Sequence, residues 1–156
     1  RRRRGMDPTP RRGRSMKKEL DMVQHFHETY RAYYNRRPTA QLPPEVIALR
    51  VSLIQEELDE YRAAAEAGDL VGIADALSDL MYVVLGTYVA HGLQDPAEEL
   101  FAEVQRSNMS KLDENGQPIF RADGKVLKSK LFSQPDLKSI LAKYPPGGNG
   151  KEPPEA

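Results

Sequence analysis

Apolar residues recur every three or four positions across most of the first 110 residues, which predicts helices. Leu20, Val23, Phe26, Tyr30 and Tyr33 or Tyr34 lie on one such face, giving a first helix from about Met16 to Tyr34. Pro38, Pro43 and Pro44 interrupt it, and a second helix starts near Pro44, since proline suits a first turn. That helix runs to about Ala67, where Gly68 can take the left-handed conformation that ends helices. Asp69 opens a third helix reaching about Val89, before His91–Gly92. Asp95–Pro96 pairs a capping residue with a first-turn proline, so a fourth helix should reach about Met109.

The texture then changes. Asn115–Gly116 and Asp123–Gly124 are turn dipeptides bracketing short runs, the pattern of a small C-terminal hairpin or arm. Gln134 to Tyr144 has room for one short helical turn. The expected organisation is a basic disordered tail at 1–15, one all-α domain at 16–142, and a disordered tail at 143–156. No internal repeat recurs at a solenoid period.

Helices two and three carry acid where apolar residues are expected. On a wheel of about 100° per residue, Glu57 and Glu60 fall inside the arc of Val46, Leu49, Leu53, Ile54 and Tyr61, with Glu56 at its edge. From Leu70 to Val84 the only polar side chains are Asp75, Ser78 and Asp79. A helix apolar nearly all round is expected to be buried on several sides. Two aspartates one turn apart there would have their pKa values raised by desolvation and mutual repulsion. Packed antiparallel across a short Gly68 turn, helices two and three would gather Glu56, Glu57, Glu60, Asp75 and Asp79 into one cluster. Two groups could neutralise it: a divalent cation, for which all-oxygen ligands favour Mg²⁺ or Mn²⁺, or Arg50 with a lysine in a structural network.

Composition narrows the chemistry. The 156 residues suffice for one domain with a core. Without cysteine there are no disulfides and no thiolate sites. The net charge of zero hides a split: residues 1–15 hold seven arginines and one acid, leaving 16 bases and 22 acids beyond them. The tail could bind phosphate or nucleic acid weakly, or be a plain disordered extension. No apolar run approaches the roughly 20 residues of a membrane span, the longest being Leu80 to Ala90, and no apolar secretory segment opens the chain. A cytoplasmic, non-membrane protein is expected. There is no GxxxxGK[ST] phosphate loop, no GxGxxG and no GxSxG elbow, and no glutamate has histidine three residues on, which removes a ferritin-like di-iron bundle.

Glu56-Glu57-Leu58-Asp59-Glu60 followed by Asp75-Ala76-Leu77-Ser78-Asp79 resembles the all-α nucleoside triphosphate pyrophosphohydrolases, the group of MazG, phosphoribosyl-ATP pyrophosphohydrolase and the dimeric dUTPases. Their pattern is EExxE on one helix and ExxD on the next. The first motif is complete; in the second, Ala76 replaces the glutamate, and Asp75 is the candidate substitute. Glu103 to Leu112 and Gly124-Lys125-Val126-Leu127-Lys128 are similar to the single-domain MazG-like branch. The resemblance covers about residues 16–140 and implies hydrolysis between the α- and β-phosphates to a nucleoside monophosphate and pyrophosphate. It implies Glu57, Glu60 and Asp79 as metal ligands with Asp75 added, and Glu56 as ligand or base, with Glu57 sharing that catalytic role. Asn108 and Lys111 become phosphate and substrate contacts, and Lys125 and Lys128 close from the arm. Gln24, His27, Phe26 or Tyr30 would select the base. The dUTPase relatives suggest dUTP or another pyrimidine deoxynucleotide, in nucleotide-pool cleaning. Because one helix pair cannot cover helix three, the bundle is expected to be completed by dimerisation, possibly doubling to a tetramer. The competing reading is a non-enzymatic helical dimerisation module whose arginine tail binds nucleic acid.

Overall fold

A computed structural model describes residues 15–147. The arginine-rich stretch at 1–14 and the final residues 148–156 lie outside the described residues. Within them are five helices and no named strand: α1 (Lys17–Thr29), α2 (Pro44–Ala67), α3 (Leu70–Ala90), α4 (Ala97–Met109) and α5 (Leu137–Leu141). The all-α class is as expected.

Proline opens α2 with a residue that needs no amide partner there. Gly68 closes it at φ 66°, donating its N–H to Ala65 O, while Asp69 donates to Ala64 O. No atom would lie within 4 Å of a Cβ on Gly68, so the turn requires glycine for its backbone angle, not for space. The chain then returns antiparallel. A Cβ on Gly72 would lie 3.1 Å from Ala64 Cβ, whereas near the far end Arg50 reaches Val83 and Thr87. That register sets Glu57 opposite Asp79.

Helix α1 is shorter than its aromatic spacing suggested, ending at Thr29 instead of Tyr34. The His27 carbonyl accepts the Ala32 N–H at 2.9 Å, and Arg31 swings to φ 56°. Tyr34 still packs on the core, but from the linker. The core gathers Leu20 and Val23 of α1, Leu85 and Val89 of α3, and Ala97 of α4. Helix α4 begins at Ala97 on a buried Pro96, without a side-chain cap from Asp95.

The linker between α1 and α2 is stitched to the α3–α4 junction. Asn35 donates its backbone N–H to Val89 O and its Nδ2 to Ala90 O (2.7 Å). Thr39 donates to His91 O, and Gln94 Nε2 to Asn35 O. Gly92, at φ 68°, lets the chain pass where a Cβ would fall 2.0 Å from the Arg37 carbonyl.

Beyond α4 the chain runs back along it. Gly116 and Gly124 turn at φ 70° and 86°. A single isolated bridge joins Phe120 to Val126, with Arg121 N–H on Lys125 O and Leu127 N–H on Ile119 O. Ser129 Oγ donates to Leu112 O, and Ser133 N–H to Ser110 Oγ. Residues 143–147, assigned to a disordered tail from composition, are instead held: Lys143 and Tyr144 both bond Glu99, and Gly147 N–H donates to Pro38 O.

Within one chain helix α3 is covered on one side only: Leu70, Val71, Leu77 and Met81 are exposed, Val71 by 80%. By length and composition its 21 residues, of mean hydropathy 1.5, would be enough to cross a membrane. It carries Asp75 and Asp79, however, and packs along α1 and α2. One flank builds the core of the chain and the other is uncovered.

Candidate active site on helices α2 and α3

The five acids do not share one environment. Glu57 is half-buried at the α2–α3 seam, while Glu56, Glu60, Asp75 and Asp79 are exposed. The wheel had placed Glu60 among buried apolar residues. Leu49 and Tyr61 of that arc are themselves exposed, so an apolar arc does not mean burial on this helix. Oε2 of Glu57 is buried without a hydrogen-bond partner. Burial of that carboxylate, then the charges of Glu60, Asp79 and Glu56, push its pKa above the usual carboxylate range. A contact with the Glu60 side chain acts in the same direction.

Asp75 is not among the groups acting on Glu57. The inward position on that turn belongs to Ala76, only 2% exposed. Asp75 therefore keeps a carboxylate on the helix but does not occupy the place from which a glutamate at 76 would face the seam.

The structural network proposed around Arg50 does not form. Arg50 is buried and spends its Nε on Thr87 Oγ1 (3.2 Å) and its Nη2 on Val83 O (2.9 Å). No ion pair among the described residues joins a lysine or arginine to any of the five acids. The donor chemistry fits a hard divalent cation: carboxylate oxygens, one of them buried and unsatisfied, and no competing cation among the described residues. The present side-chain positions do not, since no three acids or histidines among the described residues converge on one point. Exposed Glu56, Glu60 and Asp79 would have to rotate toward Glu57.

His27 sits elsewhere than expected. It is 3% exposed, with Nδ1 3.0 Å from the Tyr33 carbonyl oxygen. Burial depresses its pKa, the Tyr33 contact opposes this, and the Arg50 charge lowers it further. A Cβ on Gly86 would fall 2.6 Å from Arg50 Nη2 and 3.0 Å from His27 Nε2. This His27–Arg50–Gly86 packing was not legible from spacing, and it leaves His27 buried in the fold, not open to substrate. Gln24 is half-buried and donates to Glu28.

The expected phosphate contacts form a separate group. Lys111 Nζ donates to Asn108 Oδ1 at 2.8 Å at the end of α4. Lys128 Nζ lies 4.5 Å from the Phe132 ring centroid, and Lys125 is exposed beside the Asp123 turn. Their partners are on α4 and in the segment beyond it, not the carboxylates of α2 and α3.

A comparison with curated proteins gives no match. Residues 23–108, from within α1 to Asn108 and including all five acids, match the phosphoribosyl-ATP pyrophosphohydrolase (PRA-PH) family over more than half of the chain; the chain belongs to that family, within the all-α NTP pyrophosphohydrolase (MazG-like) superfamily.

Proposed function

We propose that the chain hydrolyses nucleoside triphosphates between the α- and β-phosphates, releasing a nucleoside monophosphate and pyrophosphate, with dUTP or another pyrimidine deoxynucleotide as substrate. The family supports the coarser statement, a hydrolase acting on phosphoric anhydrides. The observation that carries the finer one is Glu57: a buried, unsatisfied carboxylate oxygen among Glu56, Glu60 and Asp79, with no lysine or arginine among the described residues paired to it. A triphosphate is repelled by such a site until positive charge stands between them.

Glu57, Glu60 and Asp79 would hold Mg²⁺ or Mn²⁺, with Asp75 at the rim. When bound, the ion neutralises phosphate charge and polarises the phosphoryl group under attack. Glu56 or Glu57 orients the attacking water and takes its proton, as a carboxylate within hydrogen-bond reach can. Asn108 and Lys111, then Lys125 and Lys128, steady the phosphates. Their hydrogen-bond and ring partners within one subunit are not the acids, so this reading requires movement of the segment beyond α4 or a second copy. The uncovered flank of α3 supports the latter, as a dimer or tetramer. The family's own name favours a second substrate, phosphoribosyl-ATP, cut by the same chemistry.

The test incubates the full chain with each canonical triphosphate, dUTP and phosphoribosyl-ATP, with Mg²⁺ or Mn²⁺, and identifies the products. Monophosphate with pyrophosphate supports the proposal. Diphosphate with orthophosphate, or no turnover, refutes it.

A further inference from the structure

Three aromatic rings meet on the surface beside the acids. The centroids of Phe26 and Tyr30 of α1 are 4.5 Å apart with planes tilted by 37°. Phe26 meets Tyr82 of α3 edge-on at 5.7 Å and 90°. Aromatic side chains bring large apolar areas that folding normally hides, yet Phe26 is 41%, Tyr30 70% and Tyr82 39% exposed.

Their place in the fold says what they face. Tyr82 follows Asp79 by three residues on α3, about one turn or ~4.5 Å of axial rise. Asp79 in turn acts on Glu57 across the seam. The rings thus stand immediately next to the carboxylates that would engage the triphosphate. A nucleotide anchored there by its phosphates carries its base a sugar's length away, and a flat π-face suits a surface of rings. The cluster also offers directional groups. The Tyr82 hydroxyl, protonated at neutral pH like any ordinary phenol, can donate to an acceptor on the base edge.

We propose that Phe26, Tyr30 and Tyr82 form the nucleobase platform of the site, with Tyr82 the ring that links base recognition to the carboxylate helix. This rests on the triphosphate reading above and deepens it: the substrate must carry a base, and a base-free triphosphate should bind poorly.

The experiment compares Phe26→Leu, Tyr82→Leu and Tyr82→Phe with the unaltered full chain, on the best nucleoside triphosphate and on base-free ribose 5-triphosphate. Phe101→Leu, removing a ring on α4 that is more exposed than Phe26 or Tyr82, is the control. The two leucine variants should raise KM for the nucleotide about tenfold or more, and leave KM for the base-free compound within about twofold. Tyr82→Phe should keep the stacking and change only the ranking among bases. Parallel losses on both compounds, or no change in nucleotide KM, overturn the platform. So does light scattering that shows the leucine variants splitting an oligomer, because the rings then belong to a subunit contact. If the unaltered chain turns over no triphosphate, the hydrolase reading fails separately; calorimetric binding of a nucleoside monophosphate, present in the unaltered chain and lost in Tyr82→Leu, would still uphold the platform, and no binding would end it.

Discussion

Helices α2 and α4 each carry two adjacent glutamates followed about one turn later by a third: Glu56, Glu57 and Glu60 on the former, Glu98, Glu99 and Glu103 on the latter. On α4 every one has a partner. Glu98 accepts from Ser15 and from the Lys17 amide, Glu99 from Lys143 and Tyr144, and Glu103 from Arg106 and the Asp136 amide. All three pKa values are lowered, that of Glu103 to about 2. On α2 the resolved shift, at Glu57, goes the other way. Similar lettering, EExxE on α2 and EExxxE on α4, fastens the segment beyond α4 in one place and leaves charge uncompensated in the other. What separates a strut from a candidate reactive centre is the supply of partners, which the acid motif does not encode.

The sharpest way to break this contrast is turnover. Glu57→Gln and Asp79→Asn should each lower pyrophosphate release by roughly a hundredfold or more, the scale for removing a key electrostatic group. Glu99→Gln on α4 should leave the rate within about twofold. A steady-state assay in which all three behave alike would erase the distinction.

Metal linkage comes next. Saturating Mn²⁺ should raise the thermal midpoint by roughly 5–10 °C, as expected for about a hundredfold excess over Kd in a chain of this size. Scanning calorimetry should show most of this shift gone in Asp79→Asn and intact in Glu103→Gln.

Glu103 provides a pH test of the strut. Its folded pKa is depressed, so its contribution is complete above the ordinary carboxylate value and lost as pH falls toward about 2. The protection factor of the Asp136 amide, which corrects for the intrinsic rate, should therefore fall across that interval, and at neutral pH in Glu103→Ala. An unchanged Asp136 amide in that variant would remove Glu103 from the fastening.

The smallest effect has the opposite sign. Glu57 has a raised pKa, so its ionisation opposes folding as pH rises through that value. Metal-free Glu57→Gln should melt roughly one to two degrees higher than the unaltered chain at neutral pH, with no advantage below the ordinary carboxylate range. A lower midpoint at neutral pH would mean that Glu57 has a stabilising partner.

Much of the fold was legible where single residues dictate backbone: Pro44 and Gly68 bound α2 as expected. The end of α1 was not, because periodic tyrosines continue past Thr29 while the His27 carbonyl and Arg31 turn the chain away. The carboxylates were legible as a group, and their burial was misjudged. A helical wheel assumes that apolar neighbours are covered, and Leu49, Leu58 and Met81 are not. The seating of Ala76 inward and Asp75 outward was likewise hidden, since both offsets from Asp79 look acceptable on an isolated helix. Arg50 was one of two candidates to answer the acids; it lies instead beside Gly86 and His27, bonded to Val83 and Thr87 of α3.

The stretch between α1 and α2 has the proline content and lack of regular structure that make a segment tempting for inserting an epitope or a protease site. Its bonds to Val89, Ala90 and His91 argue the reverse. Asn35 and Thr39 amides should resist deuterium as well as a helix does, and an epitope spliced at 35–39 should loosen the α3–α4 junction, whereas the Gly116 turn should accept the same cargo quietly.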